Sequence, residues 1–166
     1  MFDSALKINA FQVNLLLKTV GDLDDGSLYE RCPGHNHPPV WILGHLAVTG
    51  EFGQQLLGGD VFHPGWLQLF GPGSSDDPSG LVDGDARFTI STLTTAIETA
   101  YAGLRDLAAK CSDSRRMDEP HGVEIFPGTS IETIGDMITL LLTNHFGFHL
   151  AQLSACRRSR GHGPLF

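Results

Sequence analysis

His145 and His149 stand four residues apart in a long apolar-periodic segment, and His45 occupies the inward seam of an earlier one. Neutral imidazoles are ligands for zinc, nickel, iron or cobalt, and three of them on one divalent ion leave coordination positions open for water or a substrate atom. An i, i+4 pair is separated by one turn, roughly 6 Å of rise, so both rings can reach a single point. A lone seam histidine is ordinarily a core ring bonded to a carbonyl. Three of them on two segments make His45, His145 and His149 the expected metal ligands. Cys32, Cys111 and Cys156 show no C-x-x-C spacing, so a closed structural zinc site is not expected and the open, catalytic type fits better.

The elements that must position these rings are legible as stripes. Ile138, Leu142, His145, His149, Gln152 and Cys156 recur at threes and fours, as do Trp41, His45, Val48, Phe52 and Leu56. A first helix over roughly residues 4–20 carries Leu6, Ala10, Val13, Leu17 and Val20 on one face and ends at Gly21. The second starts at Pro38-Pro39 and closes before Gly58-Gly59. The third spans roughly residues 90–111, with Thr89 as N-cap and Leu93, Ile97, Ala100, Leu104 and Leu107 as its stripe. The fourth spans roughly residues 130–159, with Thr129 and Glu132 at capping-box spacing and Gly161 beyond its end. The expected fold is therefore all-α, a four-helix bundle.

Residues 58–88 are rich in Gly, Pro, Ser and Asp and exceed what two adjacent antiparallel helices need. A crossover of that length makes helices two and three parallel, in an up-down-down-up order. His45 lies early in its helix and the other two histidines late in theirs, so antiparallel second and fourth helices bring the rings level. A simple up-down-up-down order would misalign them by roughly 12 to 18 Å. Phe62, Trp66 and Phe70 are expected to cover the bundle from the crossover.

At 166 residues the chain suits one domain, residues 1–166. Its formal charge of −8 works against nucleic acid and anionic membrane as partners and leaves a small molecule as the expected one. Three unevenly spaced cysteines do not make a disulfide framework, and the start MFDSALKINA does not read as a secretory signal, so a reducing cytoplasm is the expected location. The most apolar stretch, residues 137–151, is interrupted by Asn144, His145 and His149 and is too short to span a bilayer.

The segments PPVWILGHLAVTGEF and NHFGFHLAQLSACRR, with Trp-x3-His in the first and His-x3-His-x2-Gln followed by an arginine pair in the second, resemble the DinB/YfiT-like superfamily over essentially the whole chain. The resemblance implies a four-helix bundle with a crossover and a metal held by one histidine of the second helix and two of the fourth, which match His45, His145 and His149. It also implies a reaction drawn from thiol-dependent transfers and isomerisations that use bacillithiol, mycothiol or glutathione, and a homodimer by analogy. Many members read His-x-Gly-Gln or His-Arg-Gly-Gln where this chain has His149, Leu150, Ala151 and Gln152.

A divalent ion on three neutral histidines keeps its full charge, acidifies a bound thiol or water and polarises a carbonyl. The favoured chemistry is activation of a low-molecular-weight thiol for S-transfer to, or isomerisation of, a small electrophile. The alternatives are metal-hydroxide hydrolysis of a small ester, amide or lactone, and a non-catalytic metal- or ligand-binding bundle. Val48 and Thr49 stand where helix two would offer a carboxylate beside His45, and Glu51 should face elsewhere. Gln152 would orient a metal-bound water or be a buried amide satisfied by backbone. Cys156 is expected as a small core residue. Arg157 and Arg158, with Arg160, suit the helix C-terminus and could also attract the carboxylates of a thiol cofactor. His35, His37 and His162 should border the site's mouth, with His35-Asn36-His37 as a solvated loop able to carry protons, whereas His63 and His121 are expected at the other end as ordinary surface residues.

Overall fold

The computed structural model describes residues 1–74, 88–111, 113–124 and 127–165, and its described residues are helical with no strand beyond one isolated bridge. Helix α1 is Asp3–Val20, α2 Pro39–Leu56, α3 Trp66–Phe70, α4 Ile90–Lys110, α5 Ser114–Met117, α6 Ile134–Leu140 and α7 Phe146–Ser159. A π-helical turn, Leu141–His145, joins α6 to α7 without a break, and a 3-10 turn, Asp25–Tyr29, follows α1. Residues 75–87 of the expected crossover lie outside the described residues.

Helix α2 is the centre of the structure. Every residue from Pro39 to Gln54 except Phe52 is buried, as a mostly apolar and small-residue sequence allows, with His45, Glu51 and Gln54 as large polar exceptions that are each hydrogen-bonded. Glycines bring α4 close: a Cβ on Gly50 would lie 2.9 Å from the Ala100 methyl, and one on Gly53 2.8 Å from Leu104. Gln54 and Gly103 meet one step further on, where the Gln54 amide donates to the Ala100 carbonyl at 3.0 Å. Gly53 also faces Leu141, so the same turn of α2 touches the fourth helical segment. On the other side, Gln12 of α1 donates to the Thr143 carbonyl at 3.3 Å and Arg105 of α4 donates to Asn9 at 2.9 Å.

The buried face of α1 is Ala5, Asn9, Val13, Leu16 and Val20. It is turned away from the stripe expected through Leu6, Ala10 and Leu17, because Asn9 is buried against Arg105, a polar pairing that apolar counting cannot see. Thr89 caps α4 as expected, accepting from the Thr92 amide in a capping box. The fourth segment starts later than residue 130. Thr133 and Asp136 form its capping box, while the Ile134 amide donates to the Glu119 carbonyl at 2.8 Å and the His121 amide to Glu132 at 3.2 Å. These bonds hold residues 131–133 extended, so Thr129 and Glu132 do not cap the helix. Gly161, with φ +89°, follows α7 where a left-handed residue ends the helix.

Cys32 and Cys156 are joined in a disulfide, and Cys111 is free. This corrects the expectation that the cysteines stay unpaired and that Cys156 is a simple core residue. The two positions are 124 residues apart in sequence, and only the packing of the loop before α2 against the end of α7 brings them together. No described helix is long and apolar enough to cross a membrane.

Candidate metal centre and cavity

His45 sits on the second turn of α2, His145 closes the π turn, and His149 lies one turn into α7. One ligating atom from each falls within 4.8 Å of the others. The His45 and His145 Nε2 atoms are 3.1 Å apart. Two nitrogens on a tetrahedral zinc at about 2.0–2.1 Å are separated by roughly 3.3 Å, so this spacing suits one shared ion.

The hydrogen bonds assign the free nitrogen. His45 Nδ1 is 2.7 Å from the Phe70 carbonyl, which can only accept, so Nδ1 carries the proton and Nε2 keeps its lone pair. His149 Nδ1 likewise donates to Gln152 Oε1 at 2.8 Å and leaves Nε2 to ligate. Carbonyl and amide partners of this kind fix ring orientation in metal sites. Gln152 therefore holds the His149 ring, a contact not foreseen for it. Among the described residues, the buried Nδ1 of His145 has no hydrogen-bond partner.

Burial is the largest cause lowering the pKa of each of the three rings, which favours their neutral forms. Burial first, then His149 and His45, push His145 down to about 3. Burial, then His45, brings His149 down to about 4 against the raising effect of Gln152. His45 is lowered mainly by burial, which outweighs the bond to Phe70. Buried lone pairs converging on one point, with no proton to share among them near neutrality, fit a divalent cation.

Gly44 explains how Phe70 reaches His45. A Cβ on Gly44 would lie 2.4 Å from Phe70 Cγ, so only glycine lets that ring lie flat on α2. Phe70 is fully buried and meets Phe88 and Trp66 edge-on, with ring centroids 5.2 and 5.6 Å away. Phe70 and Trp66 thus cover α2 as expected, while Phe62 is exposed. The approach to α3 is tied down by Glu51, a buried carboxylate that accepts from the His63 amide at 3.1 Å and lies 2.6 Å from the His63 ring. Glu51 does face away from the triad. His63, expected as an ordinary surface residue, is instead the partner of this buried acid. His121 bridges locally, accepting from the Val123 amide and donating to the Ile131 carbonyl.

The triad opens into a cavity of about 880 Å³. His37 lines it and stacks on Trp41 at 3.6 Å, and Trp41 in turn stacks on His45 at 4.6 Å. His35 and His162, expected beside it, do not line it, and neither do Arg157 and Arg158. Arg157 is buried in a pair with Asp22 and bonded to the Gly163 carbonyl, and Arg158 is exposed. The stacked His37 and the disulfide partner of Cys156 are features that spacing along one chain segment does not signal.

A family model described as the DinB superfamily matches residues 11–153. No curated protein and no solved structure matches significantly.

Proposed function

From membership of the DinB superfamily, to which this chain belongs, we propose a metal-dependent enzyme that activates a low-molecular-weight thiol for transfer to, or isomerisation of, a small electrophile. His45, His145 and His149 would hold a divalent ion such as zinc, nickel or iron through their Nε2 atoms. Bound there, the ion supplies Lewis acidity that lowers the pKa of a thiol entering the open side.

The observation that carries the reading is the composition of the cavity wall. No described lining residue is a carboxylate. Hydrolysis by a metal-bound water commonly uses a carboxylate placed to take its proton, whereas a thiol, with an ordinary pKa near 8.5, becomes nucleophilic once its pKa falls modestly. Phe70 and Gln152 keep two of the ligands aimed, Trp41 packs behind His45, and the apolar wall keeps bulk water from the reacting sulfur. In the transfer the thiol gives up its proton to water at the cavity mouth as it enters, its sulfur then bonds to the electrophilic carbon, and the leaving group departs with its electron pair. The up-down-down-up order belongs to the same reading. It is supported by residue 12 meeting 143, 53 meeting both 104 and 141, and 45 meeting 145.

Metal content of the purified protein, measured beside a variant carrying His45→Ala, His145→Ala and His149→Ala, tests the proposal together with thiol conjugation to a chromogenic electrophile. We expect about one divalent ion per chain, lost in the variant, and conjugation that tracks metal content. Equal conjugation rates in both proteins would refute it.

A further inference from the structure

We infer that the molecule filling this cavity is uncharged and predominantly apolar, an alkyl or aryl body carrying a single ligating head. The inference rests on the histidine end being the reacting end, as proposed above. Its own ground is the wall itself, which is mostly apolar among the described residues and has several of its few polar groups already bonded within the protein. The Thr49 hydroxyl donates to the His45 carbonyl at 2.8 Å. The Ser74 hydroxyl accepts from Trp41 Nε1 at 2.9 Å. Nδ1 of His45 and of His149 are bonded to Phe70 and Gln152. A polar group buried against such a wall would surrender its water hydrogen bonds without replacement.

Charge points the same way. No described residue lining the cavity is Asp, Glu, Lys or Arg, so the described wall offers none of these as a counter-ion to a carboxylate or ammonium on the ligand. Of the basic cluster, Arg157 is paired with Asp22 and Arg160 bonded to the Ser27 carbonyl, and none of Arg157, Arg158 and Arg160 lines the cavity. What the wall does offer is apolar area from Val48, Phe52, Met137 and Leu141, and from Leu67 and Phe148, which remain exposed on it. At about 880 Å³ the space takes a whole small molecule, beyond the size of a reactive head alone. A thiol bearing several carboxylates fits only if its charges stay outside.

Direct binding of a homologous series tests this. Dissociation constants of the metal-loaded protein are measured for butanethiol, hexanethiol and octanethiol, and for mercaptosuccinate as the charged comparison. Burial of each methylene is expected to tighten binding about fourfold, and mercaptosuccinate should bind more weakly than butanethiol. Leu67→Asp, a change at an exposed lining position on α3, should flatten the series while leaving metal content unchanged. A flat series in wild type, or tighter binding of mercaptosuccinate, overturns the inference. The series is repeated on the triple-alanine variant. A slope that persists there, with metal-independent conjugation, would sink the proposed reaction and leave the apolar cavity standing. A flat series on protein that holds its metal sinks the cavity inference alone.

Discussion

Replacing Gly44 by alanine should damage the metal centre without touching a ligand. The added Cβ would lie 2.4 Å from Phe70 Cγ and 2.5 Å from both Cδ atoms. Carbon atoms rest at about 3.5–4.0 Å, so the ring must withdraw by roughly 1 Å or more. It has nowhere easy to go, being fully buried between Phe88 and Trp66. Overpacking of this kind costs about 1–3 kcal/mol, and the better helix propensity of alanine returns about 1. The net loss of stability is therefore modest, about 0–2 kcal/mol. The larger effect falls on binding. When the ring moves, its carbonyl moves with it, and that carbonyl is the acceptor that holds His45 Nδ1 at 2.7 Å. Loss of such an outer partner costs about 10–100-fold in metal affinity. Competition with a chromophoric chelator reads the affinity, and urea unfolding reads the stability. Two comparisons isolate the cause. Gly65→Ala, where a Cβ meets nothing within 4 Å, should bind metal as wild type does. In a Phe70→Ala background the clash is gone, so Gly44→Ala should become neutral or stabilising, giving an interaction energy of about 1–3 kcal/mol. A Gly44→Ala protein with wild-type metal affinity would refute the argument that the crossover holds His45.

Two further outcomes follow from the same description. Closing a loop of 124 residues removes chain entropy worth up to about 5 kcal/mol, so reduction or Cys156→Ser should lower the urea midpoint; thiol titration in denaturant should find one free thiol before reduction, and three free thiols with an unchanged midpoint would contradict the pairing. In the metal-free protein, His145 and His149 stay neutral to about pH 3 and 4 while the unfolded chain protonates near 6.5, so the unfolded state binds more protons in that window. Stability should be fully present above pH 6.5 and fall by about 1.4 kcal/mol per unit for each ring as pH drops towards 4. A double variant, His145→Ala with His149→Ala, should show a shallower fall, and an identical slope would count against the buried neutral rings.

Much of this was readable in advance because it rests on local rules. The three histidines could be picked out because imidazoles replaced apolar residues on a helical period. Pro39, Thr89 and Gly161 marked helix ends through backbone chemistry that each residue type carries with it. What escaped detection depends on residues distant in sequence. Asn9 becomes an inward residue only because Arg105 arrives from α4, and this rotates the buried face of α1. The start of α6 depends on Glu119 and His121 pairing with the strand-like residues before it. Cys32 meets Cys156 and Glu51 meets His63 through packing, and no spacing rule joins either pair. Gln152 was singled out as a residue that would orient a metal-bound water, and the contact observed for it is with the His149 ring.

The π turn between α6 and α7 gives the chain a freedom that a plain α-helix lacks. Such a turn amounts to one inserted residue, and it rotates everything after it by about 100° relative to everything before. Helix α6 and helix α7 can therefore each keep a continuous apolar face while presenting those faces to different neighbours. His145 ends the inserted turn and His149 follows it, so the bearing of both rings is set by one residue's worth of backbone. A lineage that gained or lost that residue would swing the pair away from His45 with every ligand still present. The site is thus exposed to length changes in this helix in a way that no comparison of residue identities alone would register.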